Sequence, residues 1–332
     1  MMKRKRSNVT VCLFFVLVLP LVLCSSTVFG ATIHVPANYG KIQIAINAAS
    51  DGDIVLVADG TYMGEGNKNI TFKGKQITVQ SENGPKHCII DCQNDGRGFI
   101  FNSGELEDSI LSGFTITNGR TSNYGGAIYC VNSAPVIKDC IMINNRVIGS
   151  SNNSHGGAIF LGSGATPTIV NCVVTRNTSN YLGGGIYSYN AEPFIINCTI
   201  TRNIAIDGGA IFCRYEPSPT LTNCILWGNT PNEVVITEEI ETQAPKITYS
   251  VIQDGYSGSG NIKDDPMFVG SGDYYHLTEK SPCINRGTAT GAPETDIDKD
   301  TRPQAGRIDI GADEYTKEQE QKVAEQEEKP GA

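Results

Sequence analysis

Asp296, Asp298 and Asp300 alternate along the run Asp-Ile-Asp-Lys-Asp, and carboxylates spaced two apart are what a calcium loop offers its ion. The run lacks the glycine at its sixth position and the distal glutamate that complete an EF-hand. Asp309, Asp313 and Glu314 could join that loop in three dimensions, or could instead pair with Arg302 and Arg307 to lock the C-terminal cap. Arg176 and Arg202 stand at matching points of a repeat. Two such guanidiniums could grip the carboxylates of an acidic polysaccharide, or be ordinary solvated charge. Tyr129, Phe160, Tyr187 and Phe212 recur in the same way; an aromatic series can stack on sugar rings, or stabilise neighbouring strands. No residue pattern requires a cofactor, and calcium is an ion these carboxylates could take.

Other chemistries are excluded by composition. A net charge of −9 argues against a nucleic-acid partner, which calls for a basic face. Four histidines, scattered, and no Cys-x-x-Cys pair argue against a zinc site. Of the 11 cysteines, Cys12 and Cys24 fall in the first 30 residues. There a basic head (Lys3 to Arg6) precedes an apolar stretch from Val9 to Cys24 and small residues up to Gly30, the layout of a secretory signal peptide. The stretch is broken by Pro20 and is shorter than the roughly 20 residues needed to span a bilayer. The expectation is a secreted protein with no membrane span after cleavage.

The elements that position the candidate residues follow from an internal repeat of about 26 residues. Gly125-Gly126-Ala127-Ile128 recurs as Gly156-Gly157-Ala158-Ile159, Gly183-Gly184-Gly185-Ile186 and Gly208-Gly209-Ala210-Ile211. Pro135, Pro167, Pro193 and Pro219 keep the same period, as do Cys140, Cys172, Cys198 and Cys224, and Asn145, Asn177, Asn203 and Asn229. Each repeat holds three short segments rich in Ile, Val and Thr, too short for helices and suited to strands. One such unit cannot bury its apolar face, whereas a stack shares one core. The expected fold is therefore all-β, a right-handed parallel β-helix of roughly eight or nine coils, about 40 Å long at the inter-strand spacing.

Alternation assigns the faces. Ile128, Ile159, Ile186 and Ile211 form one inward column; Ile137, Ile169, Ile195 and Leu221 form a second; Met142, Val174, Ile200 and Leu226 form a third. The aromatic series, one residue after the first column, should point outward. The cysteines read as small buried thiols, because parallel Cβ vectors on adjacent rungs are the wrong geometry for disulfides. The asparagines at 145, 177, 203 and 229 suit left-handed turns and amide ladders, and Asp139, Asn171, Asn197 and Asn223 suggest a second ladder. Extra residues at Val147–Ser154 make a loop.

The ends need covers. Residues 31–52 read as an N-terminal cap, with Ile42, Ala45, Ile46 and Ala49 at helical spacing, Asn38 as its N-cap and Gly52 past its end. Ile54–Val57 reads as the first strand of a β-helix over 53–263, and Ile247–Ile252 as its last regular rung. Residues 264–315 read as a C-terminal cap, and 316–332, dominated by Lys, Glu and Gln, as a disordered tail.

Three resemblances attach to these segments. Ile42–Tyr62 resembles the N-terminal segment of pectinesterases and many other β-helix proteins. The Gly-Gly-Ala-Ile and Cys-x-x-x-x-Asn repeats are similar to those of chlamydial polymorphic outer-membrane proteins. The stretch Asp264–Tyr315, with Asp-Asp-Pro-Met-Phe and Asp-Ile-Gly-Ala-Asp-Glu-Tyr, resembles the C-terminal region of bacterial secreted or surface proteins of the choice-of-anchor Q type. These imply a pectin lyase-like fold. The catalytic motifs of pectinesterases and polygalacturonases are absent, and the repeats carry no acidic column like that of pectate lyases. The resulting expectation is a secreted or cell-surface, non-catalytic protein that binds polysaccharide or cell-envelope glycan through its strand face. The alternative is a polysaccharide lyase, esterase or epimerase with an unfamiliar site.

Overall fold

The computed structural model describes residues 30–149, 153–215, 218–237, 244–270, 276–304 and 306–327. The expected signal peptide, apart from Gly30, and the middle of the Val147–Ser154 loop lie outside them.

Strands here are brief because each coil is bent three times at residues with left-handed backbone. One bend falls at Asp139, Asn171, Asn197 and Asn223 (φ 48° to 55°), a second at Asn144, Arg176, Arg202 and Gly228 (φ 55° to 70°). The third falls at Gly125, Gly156, Gly183 and Gly208 (φ 57° to 69°), the first glycine of each pair. The second glycine answers a different need. A Cβ on Gly157 would stand 2.2 Å from the Gly184 carbonyl oxygen of the next coil, so only glycine lets adjoining coils approach there.

Among the described residues the strands assemble into parallel sheets of nine, eight and seven strands and a short three-stranded ladder. The expected columns are in register: Ile137 pairs with Ile169, Met142 with Val174, and Ile186 with both Ile159 and Ile211. The inward columns merge into one buried core from Val35 to Ile252. The chain is a parallel β-helix. The three-stranded ladder, Arg120–Thr121 with Arg146–Val147 and Thr178–Ser179, is an addition to the expected three strands per coil. Among the described residues, no helix is long and apolar enough to cross a membrane.

Asn145, Asn177, Asn203 and Asn229 form a buried amide ladder: each Nδ2 donates to the next Oδ1 at 2.9 to 3.0 Å. The left-handed residue of this bend is the one before the asparagine, so the ladder rests on hydrogen bonding rather than on left-handed tolerance. Glu233 ends it, accepting both the Asn229 N–H and Nδ2. The cysteine column consists of buried free thiols, and on the Ile211–Arg214 strand burial pushes the Cys213 thiol up to about 12.

The ends differ from expectation. Thr32–Val35 precedes Ile54–Val57 as a first strand and pairs with it. The helix α1, Ile42–Ala48, buries Ile42, Ala45 and Ile46 as expected, but Asn67 rather than Asn38 accepts the Ile42 N–H; Asn38 accepts that of His34. At the other end, Tyr256 packs against the core and its hydroxyl donates to the Pro245 carbonyl. Residues 264–315 are therefore not the end plug. The described residues of this segment run back along the outer side of the rod. Asn223 donates to the Thr288 carbonyl, Asn197 to those of Asp309 and Gly311, and Asn171 to that of Thr295. The second expected amide ladder keeps its Asn171–Asp139 and Asn223–Asn197 rungs, each at 3.1 Å, and breaks between Asn171 and Asn197, where the Asn197 amide docks the segment instead. Beneath the segment, outward Ile141 and Val173 pack on Ile297 and Ala312, and Ile225 and Val251 on Leu277 and Ile310. The tail expected to be disordered begins with a helix, α2, Lys317–Glu327, anchored where Gln319 donates to Asp300 at 2.6 Å and the Tyr315 hydroxyl to Glu320.

Candidate functional site

The aromatic series is a single column in register, Tyr129 to Phe160 to Tyr187 to Phe212, with successive rings stacked at centroid distances of 5.4, 5.7 and 5.5 Å. It faces away from the core, as alternation requires, yet Tyr187 and Phe212 are each only 1% exposed and Phe160 7%. The residues before the first two glycine pairs fold over the ring of the next coil: Tyr124 lies 4.3 Å from Phe160, and His155 4.3 Å from Tyr187. Tyr129, at the edge, carries Arg97 over its ring. The expected open platform for sugar rings is therefore a buried structural spine.

Arg176 and Arg202 occupy the same bend on adjacent coils, since Thr175 pairs with Thr201, and both are exposed. One coil further, Thr201 pairs with Trp227, the chain's one tryptophan. Arg202 and Trp227 line a cleft of about 420 Å³ between the rod and the returning segment, whose Asp265, Met267 and Phe268 form its other wall. Trp227 is part-buried and packs against the cluster around Ile225 and Leu277, which fixes its ring. A held aromatic surface with charged groups beside it is a common form of ligand site. Trp227 escaped the sequence reading because it breaks its column, where earlier coils carry Ile143, Thr175 and Thr201. That break was the available signal.

The alternating aspartates do not converge on one point. Asp296 is buried and accepts the backbone N–H groups of Asp298, Asp300 and Glu314, so it shapes the loop; burial raises it to about 6. Asp300 accepts from Gln319. Asp298 alone faces a chemical cluster: its Oδ2 lies 2.7 Å from His276 Nε2 and its Oδ1 2.6 Å from the Lys86 ammonium. Burial opposes ionisation of Asp298, but the His276 hydrogen bond and the Lys86 charge hold it below the usual carboxylate range. For His276, burial opposes the charged form, and Asp298 and Asp313 outweigh it and push the imidazole up. Arg302 and Glu314 form a buried ion pair at 3.0 Å, whereas Arg307 donates to the Gly287 carbonyl. The ion-paired lock thus exists around Arg302.

A family model described as right handed beta helix region matches residues 150–264, and the fold is a right-handed parallel β-helix. Among solved structures, that of pectate lyase Pel9A is similar over 86% of this chain and 96% of its own, with 13% identity and a TM-score of 0.47. No curated protein matches the chain.

Proposed function

We propose that this chain is a non-catalytic, secreted or cell-surface protein that holds an acidic polysaccharide in the Arg202–Trp227 cleft. The observation that supports it is the pairing of an immobilised tryptophan with Arg202 in one cleft, continued by Arg176 one coil away. A pyranose ring offers an apolar face to the indole, and a uronic carboxylate offers charge to a guanidinium. The rod supplies a rigid, repetitive support, so binding costs little ordering of the protein.

Affinity electrophoresis against polygalacturonate, alginate and neutral dextran tests this. The parent should be retarded by the acidic polymers, less so in high salt, and Trp227→Ala and Arg202→Gln should each weaken retardation by about 10-fold, or about 1.4 kcal/mol. The same incubations are followed for unsaturated ends, released methanol and altered epimer ratios. Any of those products would establish the enzymatic alternative. Absence of retardation on every acidic polymer would dismiss the cleft.

A further inference from the structure

We propose that His276, Asp298 and Asp313 form a binding site for one divalent transition-metal cation of the zinc class. Each residue offers one ligand atom, and these atoms lie within 4.8 Å of one another. His276 Nε2 stands 2.7 Å from Asp298 Oδ2 and 4.0 Å from Asp313 Oδ1. Ligands at about 2.0–2.2 Å from a tetrahedral ion are separated by roughly 3.3–3.6 Å, between those two distances. Centring an ion opens the closer pair by about 0.6 Å and draws the wider pair together by about 0.4 Å.

An independent observation points to a ligand. Asp313 is 3% exposed, and its Oδ2 accepts the Leu277 N–H at 3.0 Å, but its Oδ1 has no hydrogen-bond partner among the described residues. A buried carboxylate oxygen turned toward an imidazole nitrogen, with no donor of its own, is costly. A cation between the two removes that cost.

The surroundings are those of a held ligand set. Lys86 takes the Oδ1 of Asp298, and Oδ2, which meets His276 Nε2 at 2.7 Å and accepts from the Gln319 amide at 3.3 Å, is the atom offered to an ion. Asp296 fixes the loop that presents Asp298 through three backbone N–H groups, and outer contacts of this kind orient metal ligands. Asp298 also lines a cleft of about 290 Å³ with Lys86, His87, Asp300 and Gln319, which gives an ion a way in. One imidazole with two carboxylates suits zinc, manganese or cobalt; calcium prefers six to eight oxygens. Of the alternating aspartates expected to hold calcium, the site uses Asp298 alone, joined by Asp313 from the neighbouring acidic group.

The test is equilibrium dialysis of the folded, reduced, metal-stripped chain against Zn²⁺ and against Co²⁺. One equivalent should bind, the Co²⁺ form should show d–d absorption without thiolate charge-transfer bands, and Zn²⁺ should raise the thermal midpoint. His276→Gln and Asp313→Asn should each weaken binding by at least about 100-fold with an unchanged far-ultraviolet circular dichroism spectrum. If His276→Gln does not fold, the near-isosteric Asp313→Asn decides. The proposal is overturned if the folded parent binds no stoichiometric Zn²⁺ or Co²⁺. It is overturned equally if binding survives in the folded variants, or if the Co²⁺ spectrum shows cysteine ligation.

Discussion

Asn203 donates its side-chain amide to the Asn229 Oδ1 one coil on, at 2.9 Å, and accepts at its own Oδ1 from Asn177 at the same distance. Every polar atom of that buried side chain is thereby used, because Nδ2 also donates to the Val174 carbonyl. Asn203→Ala leaves partners on both sides unsatisfied in the interior. It should destabilise the protein by about 3 kcal/mol in urea unfolding. A loss below about 1 kcal/mol would mean that the ladder is incidental.

The ladder ends at Glu233, and this gives stability a pH dependence. Burial raises Glu233 from 4.5 to about 7, against the opposing effect of the Asn229 donors. The folded state therefore binds more protons than the unfolded state between those values. Its contribution is present below about 4.5 and is lost as pH rises through about 7, by about 3 kcal/mol in total. Glu233→Gln should flatten this part of a plot of unfolding free energy against pH. An unchanged slope would assign the dependence elsewhere.

The two aromatic features should separate cleanly. Tyr187→Ala removes a ring from the buried spine and should cost about 3 kcal/mol, while the folded variant keeps its polysaccharide retardation. Trp227→Ala should do the reverse, weakening retardation with a smaller loss of stability. A folded Tyr187→Ala protein that no longer binds would return the function to the strand face.

The glycine pair makes a local prediction. Gly157→Ala drives a Cβ into the Gly184 carbonyl oxygen and should disrupt adjoining coils, whereas Gly228, left-handed at φ 70°, has open space where a Cβ would stand. Gly228→Ala should cost only the backbone strain, about 1–2 kcal/mol. Thermal midpoints of the two variants compare them directly, and equal losses would refute the close-approach account.

These contrasts mark where the sequence is informative. The stack was legible because one physical demand recurs in every coil: glycine where coils touch, asparagine where an amide ladder runs, isoleucine where the core lies. Burial of the aromatic column was harder to see, although Tyr124, His155 and Leu182, each just before a glycine pair, are all large. The return of the C-terminal segment was not legible. Its contacts, such as Asn197 with Gly311, lie 114 residues apart and follow no period. The only local trace is that Ile141, Val173, Ile225 and Val251 are apolar at outward positions. Both the cleft and the His276 cluster depend on that return, so their residues appeared unrelated along the chain.

The return of the C-terminal segment, seen in residues 276–304 and 306–315, along the rod is thus the claim on which both sites rest, and zero-length carbodiimide cross-linking reads it in the native chain. Lys299 meets Asp139, 160 residues away in sequence, and Lys86 meets Asp298, each at 2.6 Å. Peptide mass spectrometry should recover both amide-linked pairs. Finding neither, while the Lys68–Asp95 pair within the rod links under the same conditions, would contradict the account.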